Sequence, residues 1–361
     1  MQIFKRLKFL IIAIYSYIYQ SIHSLFSSQE EDIIVFVVPN KNLICGGTMS
    51  ISNMADIAKE LFPSKKVYLC VNAKYQKFLR YSGFNSPHRI LNIRNYIDKW
   101  LKRSNVIINV YESGTIELLN YLNQPKFKNK LDSIQVNILN QNQEMMPSEE
   151  DVYRSLGKIK KLTMTLAYKS NSRLEYPYLV IPPRHVGAWF PETRNEIPPF
   201  EEKRDFCIIS PDKNEFKSEI VQLLTSNGIE CFDEWPIPYA LFNKLQKQAK
   251  WTISFGEGWD GYTMGQFLNG GIGFGVYNKN FEQNYFDTKS LPPFLFKSYE
   301  DMRANIIRII NEYNNKITFE STVAEMTTIM ASDPDSNTAD KVKNRWKSFY
   351  ENDILIYPKQ V

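Results

Sequence analysis

Residues 33–62 read IIVFVVPNKNLICGGTMSISNMADIAKELF. Ile33 to Val38 is an unbroken β-branched and aromatic run, as expected of a strand buried on both faces in a parallel sheet. Pro39-Asn40-Lys41-Asn42 ends it and Gly46-Gly47 turns the chain. From Thr48 to Phe62, Met49, Met54, Ile57, Ala58 and Leu61 recur at helical spacing. Strand, glycine turn and helix open a doubly wound α/β unit. The alternation continues outward. Lys66 to Val71 predicts a strand, Tyr75 to Tyr81 a helix closed by Gly83, Val106 to Tyr111 a strand, and Gly114 to Leu122 a helix. Ile134 to Leu139, Leu162 to Ala167 and Leu179 to Ile181 predict further strands.

Pro182-Pro183 and the Pro- and Glu-rich stretch from Phe190 to Arg204 lack periodicity and mark a domain boundary. The pattern then restarts. Phe206 to Ser210, Ile229 to Phe232, Trp251 to Phe255 and Ile272 to Tyr277 predict strands. Asn214 to Ser226, Pro238 to Ala249, Gly261 to Leu268, Tyr299 to Tyr313 and Ala339 to Tyr350 predict helices. The expected fold class is α/β, with two Rossmann-like domains facing across a cleft and C-terminal helices. The expected divisions are an N-terminal segment (1–30), a first domain (31–200), a second domain (201–300) and helices over 301–361 that return to the first domain. Ligands of such sheets lie at the carboxyl ends of the strands.

Composition narrows the function classes. Lys and Arg number 44 against 39 Asp and Glu, a net charge of +5 without the concentrated basic stripe of a nucleic-acid binder. With 23 Phe, 21 Tyr and 6 Trp the chain can bury a large core and is no disordered protein. The four cysteines (Cys45, Cys70, Cys207, Cys231) form no CxxC pair and there are three histidines, so no metal site is expected. No GxGxxG follows the first strand, which excludes the dinucleotide-dependent oxidoreductase fingerprint.

The first 26 residues place Lys5, Arg6 and Lys8 before an apolar run from Phe9 to Tyr19. About eleven apolar residues fall short of the roughly twenty that span a bilayer. The basic and apolar order resembles the n- and h-regions of a signal peptide, without a clear small-x-small cleavage site. The pattern predicts an interfacial helix, or else a first helix packed on the domain or a cleaved or spanning segment, with the protein cytoplasmic and peripheral on the inner face of the membrane.

The stretch 254–271, SFGEGWDGYTMGQFLNGG, carries the most chemistry. A buried strand ends in a glycine-flanked carboxylate, Glu257, and Gly256, Gly258 and Gly261 permit close backbone approach to a ligand. A helix starting near Gly261 would aim free N–H groups at the same spot, favouring phosphate. Glu112, in Tyr111-Glu112-Ser113-Gly114, also ends a strand at a turn; it either faces an acceptor or caps the next helix by its charge.

The 254–271 stretch resembles the acidic motif of GT-B glycosyltransferases of the retaining, family-4-like type. Glu257-Gly258-Trp259 matches its opening and Gly270-Gly271-Ile272 its turn into a strand, while the motif's second Glu falls at Gly265 beside Gln266. The resemblance implies a nucleotide-sugar donor, a hydroxyl acceptor, retention of anomeric configuration and no tightly bound cofactor or metal. A glycan or lipid-linked acceptor would in turn explain the basic, aromatic N-terminus, which by context suggests cell-surface polysaccharide synthesis. The resemblance also implies donor contacts at Gly46, Gly47, Arg184, Lys213, Glu257, Gly258, Trp259, Asp260, Gly261 and Gln266, and an acceptor side at Glu112. Glu257 would grip the sugar, Arg184 and Lys213 would neutralise the leaving diphosphate, and His185 would bond a phosphate or accept a proton. The first domain would then be the acceptor side and the second the donor side. Gly265 keeps a second reading open, a catalytically inactive GT-B-like protein that binds glycan or scaffolds an assembly.

Overall fold

The computed structural model describes residues 32–42, 45–84, 86–102, 105–127, 129–166, 184–185, 198–258, 260–279, 286, 289–332 and 339–351, together with Ile11, Ile14, Tyr15 and Ile18. The chain divides into two compact units. One comprises Met1–Tyr168, Ser172–Phe190 and Asn337–Val361; the other comprises Lys169–Asn171 and Pro191–Ser336.

In the first unit the β-branched runs become β1 (Ile33–Val37), β2 (Lys66–Val71), β3 (Ile90–Asn92), β4 (Val106–Tyr111), β5 (Ile134–Asn140), β6 (Lys161–Leu166) and β7 (Arg184–His185). They form one parallel sheet in the order β3-β2-β1-β4-β5-β6-β7. The crossovers carry α1 (Gly46–Leu61), α2 (Ile93–Trp100), α3 (Thr115–Leu122) and α4 (Glu149–Leu156). All five residues of β1 are buried, which explains the absence of polar alternation in its sequence. Val35, Ile108 and Val136 pack on one face with Ile97 and Leu118, and Ile34 and Phe36 pack on the other with Ile51, Met54 and Ile57 of α1.

The expected helix from Tyr75 to Tyr81 does not form. Asn40 donates through Nδ2 to the Tyr75 carbonyl (2.7 Å) and accepts from the Lys77 N–H (3.0 Å), while Gln76 Nε2 donates to the Phe78 and Ile90 carbonyls (2.7 Å each). Side chains thereby hold the backbone groups of this stretch in a loop. The expected strand at Leu179 to Ile181 lies outside the described residues.

The second unit contains β8 (Arg204–Ile209), β9 (Glu230–Phe232), β10 (Ala249–Ile253), β11 (Ile272–Val276) and β12 (Leu295–Phe296). They are parallel, in the order β12-β11-β10-β8-β9. Its helices are α5 (Lys217–Ser226), α6 (Tyr239–Gln248), α7 (Met264–Leu268), α8 (Tyr299–Tyr313) and α9 (Lys316–Ser332). Trp251 is fully buried between Phe274 and Phe319, and its indole N–H donates to Asp205 (2.7 Å). Lys203 is buried, with its ammonium donating to the carbonyls of Lys247 (2.8 Å) and Asn269 (2.9 Å) at the ends of α6 and α7. A cation suits the negative end of a helix. Burial nevertheless lowers its pKa to about 8. Two Rossmann-like parallel sheets, each with crossover helices, confirm the expected α/β class.

The last described helix, α10 (Ala339–Glu351), belongs to the first unit. Val342, Trp346, Phe349 and Tyr350 complete the α1 face of the core, with Trp346 fully buried against Phe36. Truncating such a residue costs about 3–5 kcal/mol. Asn109 Nδ2 donates to the Tyr350 hydroxyl (2.9 Å) and also to the Val35 carbonyl (3.3 Å). Asn137 Nδ2 donates to Asn109 Oδ1 (2.9 Å) and Thr165 Oγ1 (3.0 Å), and Thr163 Oγ1 donates to Asn137 Oδ1 (3.0 Å). This buried ladder runs across β4, β5 and β6 with its members satisfying one another.

The strand orders fix where ligands belong. In the first unit β1 leads to β2 on one side while β4 leads to β5 on the other, so the topological switch falls between the loops after β1 and β4. In the second it falls between the loops after β8 and β10.

Candidate functional site

At the first switch point α1 begins with extended Cys45 as its N-cap and Gly46-Gly47 as its first residues. A Cβ on Gly46 would meet nothing within 4 Å, and one on Gly47 only an ordinary contact with Gln141 at 3.5 Å. The two glycines therefore leave the first turn bare rather than relieve a clash. Glu112 heads the short 3-10 turn that follows β4. Its carboxylate is buried and accepts the Gln141 N–H (3.2 Å) from the end of β5. Among the described residues no basic side chain bonds it, and burial pushes its pKa up to about 6 despite the two backbone donors. The Tyr81 hydroxyl nearby is buried with no hydrogen-bond partner. Its pKa is pushed well above the tyrosine range, first by burial and then by Cys45 and Tyr111. Gln141 thus brings Gly47 and Glu112 together.

Arg184 and His185 fall elsewhere. They form β7, whose backbone pairs with Thr165 and Leu166 at the end of β6. With strands about 4.8 Å apart, β7 lies roughly 19 Å across the sheet from β1. Their side chains lie outside the described residues. The sequence placed this pair in the opening of a linker, and the structure places it on an edge strand of the first sheet.

At the second switch point the loop after β10 is built around Asp260. Its carboxylate accepts the Ser254 hydroxyl (2.6 Å) and the N–H groups of Tyr262 (2.8 Å) and Thr263 (3.2 Å). Burial of that carboxylate pushes its pKa up to about 6, with Asp212 adding to the rise. Gly258 has φ +88°, a conformation that disfavours other residues, and its carbonyl accepts the Thr263 hydroxyl. Glu257 is exposed in the bend just before Gly258. A Cβ on Gly256 would sit 2.9 Å from Asp212 Oδ2, so glycine admits this carboxylate from the β8 loop. Trp259 lies outside the described residues.

This arrangement corrects the expected phosphate cradle. The helix does not begin at Gly261. α7 has only five residues, and the N–H groups of Tyr262, Thr263 and Met264 are already taken by the Asp260 carboxylate and carbonyl. Asp260 thus occupies the free N–H groups that a helix start here would have offered to a ligand, those of Tyr262, Thr263 and Met264. Gly261 is exposed, and its carbonyl accepts from Gln246 Nε2 (2.8 Å).

Gln266 is corrected as well. It is fully buried, with Nε2 donating to the carbonyls of Ala249 (2.8 Å) and Gln246 (3.2 Å). Ala249 begins β10, so Gln266 points to the amino end of the sheet, away from Glu257. Gly265 packs against α6, where a Cβ would already press Gln246 Nε2 at 3.3 Å. A glutamate here would require the end of the Gln246 side chain to give way by a few tenths of an ångström.

Lys213 is exposed after β8. One turn further on stands a residue that the sequence reading missed. Lys217 is mostly buried, and its ammonium donates to the Ser210 carbonyl (2.8 Å) and Asp233 (2.7 Å) at the carboxyl end of β8. Only the four-residue offset from Lys213 onto α5 could have signalled it. Phe216, Tyr299 and Phe255 stack beside this edge, with centroid separations of 5.9 and 5.7 Å. An apolar cavity of about 230 Å³, lined by Pro199, Phe200, Gly270, Phe319 and Val323, lies by the turn that precedes β11, at the amino end of the sheet and outside this site. Among the described residues no cluster of three or more His, Cys, Asp or Glu is placed to hold a metal ion.

No protein-family model and no curated protein matches the sequence. Solved structures do resemble it. The catalytic domain of starch synthase IV from Arabidopsis thaliana, bound to ADP and acarbose, aligns over 89% of this chain and 100% of its own at 9% identity and a TM-score of 0.47. An α,α-trehalose-phosphate synthase from Burkholderia vietnamiensis aligns over 90% and 96% at 8% identity and a TM-score of 0.47. An E. coli heptosyltransferase with ADP-2-deoxy-2-fluoro heptose aligns over 78% and 100% at 11% identity and a TM-score of 0.34. At such scores the assignment of architecture rests on the strand orders of this chain.

Proposed function

We propose that this chain is a glycosyltransferase of the GT-B type, moving a sugar from a nucleotide-sugar donor to a hydroxyl of a glycan or lipid-linked acceptor in cell-surface polysaccharide synthesis. The observation that carries the reading is that each sheet sets carboxylates at its own switch point, Glu112 in the first and Glu257 with Asp212 in the second. Carboxylates suit sugar hydroxyls, to which they offer several acceptor sites. The second unit is the donor side. Glu257 bonds the hydroxyls of the transferred sugar, and Lys213 with Lys217 faces the leaving diphosphate, whose growing charge is best met by groups already in place. The bare first turn of α1, at Gly46 and Gly47, offers N–H donors to an anionic or hydroxylic group. His185 and Arg184 keep no role in this version, and Gln266 holds α7 in place.

Glu112 favours a second version of the chemistry. The resemblance implies retention, in which no protein base is needed at the acceptor. A buried carboxylate with a pKa of about 6, bonded by no cation among the described residues, is suited to accept the acceptor hydroxyl's proton near neutral pH, which fits direct displacement with inversion. The anomeric configuration of the product, read by NMR, separates the two versions.

The transferase reading itself is tested by thermal shift against UDP, GDP, ADP, CMP and their common sugars. A ligand at a hundredfold excess over its Kd stabilises the folded state by about 2.7 kcal/mol. Stabilisation by one nucleotide sugar, with Glu257→Ala weakening the sugar-bearing form but not the bare nucleotide, is the expected result. No response to any of them from folded protein replaces this reading with the inactive binding or scaffold protein. The same reading puts the enzyme peripherally at the inner face of a membrane, where a lipid-linked acceptor is presented.

A further inference from the structure

Ile11, Ile14, Tyr15 and Ile18 are helical, and their spacing puts them on one face. They are 59, 51, 54 and 52% exposed, half of the large exposed hydrophobics among the described residues. The Tyr15 ring lies 5.0 Å from the Arg89 guanidinium, which fixes the helix against the β3 edge of the first unit. The residue after Arg89, Ile90, donates its N–H to the Leu79 carbonyl (2.8 Å). Thus the loop after β2 shares that edge, and Lys74, Tyr75, Lys77 and Arg80 are exposed on it, Tyr75 by 68%. Asn40 and Gln76 hold this loop in shape, as described above. No Asp or Glu occurs in residues 1–29 or 61–97, whereas ten Lys and Arg do, Lys5, Arg6 and Lys8 among them.

We propose that the Ile11/Ile14/Tyr15/Ile18 face and the Lys74–Arg80 loop form one docking surface for an anionic lipid bilayer. The inference deepens the peripheral placement above and rests on it, but not on the chemistry of transfer. The apolar face enters the boundary between headgroups and acyl chains, as amphipathic interfacial helices do. The loop sets three cations and an amphipathic tyrosine beside it, and a negative leaflet attracts them. The absence of acidic side chains in both segments selects an anionic surface over a neutral one. Among the described residues no helix is long and apolar enough to cross a membrane. Interfacial contact requires only the one face.

The test is co-sedimentation of the full chain with phosphatidylcholine vesicles, with and without phosphatidylglycerol. The expected result is binding to the anionic vesicles alone, weakened by salt. The triple variant Lys74→Glu/Lys77→Glu/Arg80→Glu should lower partitioning on the order of a hundredfold, and Ile14→Asp/Ile18→Asp should abolish it. Thermal unfolding checks that both variants fold, and the nucleotide-sugar shift should be unchanged in them, so loss of docking and failure of the transferase reading are distinguishable. Wild type left in the supernatant, or vesicle binding that survives both sets of changes, overturns the proposal. So does light scattering that shows a dimer converted to monomer by Ile14→Asp/Ile18→Asp without lipid binding, since a second copy would then be the occupant of the face.

Discussion

Replacing Glu112 by Gln should make the protein more stable and less active. The carboxyl's pKa rises from the ordinary 4.5 to about 6 on folding, chiefly through burial. The folded state therefore binds more protons than the unfolded chain between those values, and stability falls as pH rises through that window. Below pH 4.5 the penalty is absent; above pH 6 it is complete. A difference of about 1.5 on the pH scale at 1.36 kcal/mol each gives about 2 kcal/mol at pH 7. Gln removes the penalty at every pH and keeps an oxygen for the Gln141 N–H, but its amide NH2 needs an acceptor, which returns about 1 kcal/mol of the gain. The expected net is about 1 kcal/mol at pH 7, or a midpoint roughly 2–4 °C higher for a unit of this size. The assay is thermal unfolding of wild type and E112Q from pH 4 to 8, followed in the first unit. The two curves should cross between pH 4.5 and 6, with E112Q the less stable by about 1 kcal/mol near pH 4 and the more stable by about 1 kcal/mol above pH 6. Transfer should fall by about two to four orders of magnitude if Glu112 accepts the acceptor's proton. Parallel curves across the whole range would show that Glu112 carries no buried-charge penalty and would falsify the argument.

Lys217→Met should weaken nucleoside diphosphate binding roughly 10- to 100-fold, the worth of one charge-assisted hydrogen bond; unchanged affinity by calorimetry removes Lys217 from the donor site. Asp260→Ala should destabilise the second unit by about 2–4 kcal/mol, because the Ser254 hydroxyl and two backbone N–H groups lose their acceptor; a change below about 0.5 kcal/mol in denaturant unfolding would contradict the loop as described. Cys45 is exposed while Cys70 and Cys207 are buried, so maleimide should label Cys45 first. A ligand on the first turn of α1 should slow that labelling, and protection of a different thiol would move the ligand elsewhere.

What was legible in the sequence follows from burial. β1, β4 and β5 are covered on both faces, so their runs of Ile and Val announce them. Tyr299–Tyr313 was readable because Met302, Ile306 and Ile310 repeat at helical spacing on a long surface helix. α2 and α4 span only eight residues each; α2 nevertheless repeats Ile93, Tyr96, Ile97 and Trp100 at helical spacing, a signal that was overlooked, whereas α4 buries only Val152, Ser155 and Leu156. β3 is three residues long, and the loop before it mimics a helix by composition while Asn40 and Gln76 decide otherwise. Glu112 and the 254–261 loop were found because a carboxylate after an apolar run is visible in one dimension. Asp212 and Lys217 were missed because their relevance arises from contacts, with Gly256 in one case and Ser210 in the other. The phosphate cradle failed for a similar reason, since a sequence shows where N–H groups lie but not that Asp260 has already claimed them.

The docking of α10 on the first unit governs when that unit can close. Ile34, Phe36, Ile51 and Ile57 leave the ribosome early, yet Trp346 and Tyr350, which cover them, follow only after the whole second unit. At ordinary elongation rates the interval between β6 and α10 is roughly 10–40 s. During that time the nascent first unit presents a bare apolar face and the unpaired end of the Asn109 ladder. Synthesis therefore finishes the second unit while the first is still open, and the nascent chain is exposed to chaperones and aggregation through the β1 and α1 core face until α10 arrives.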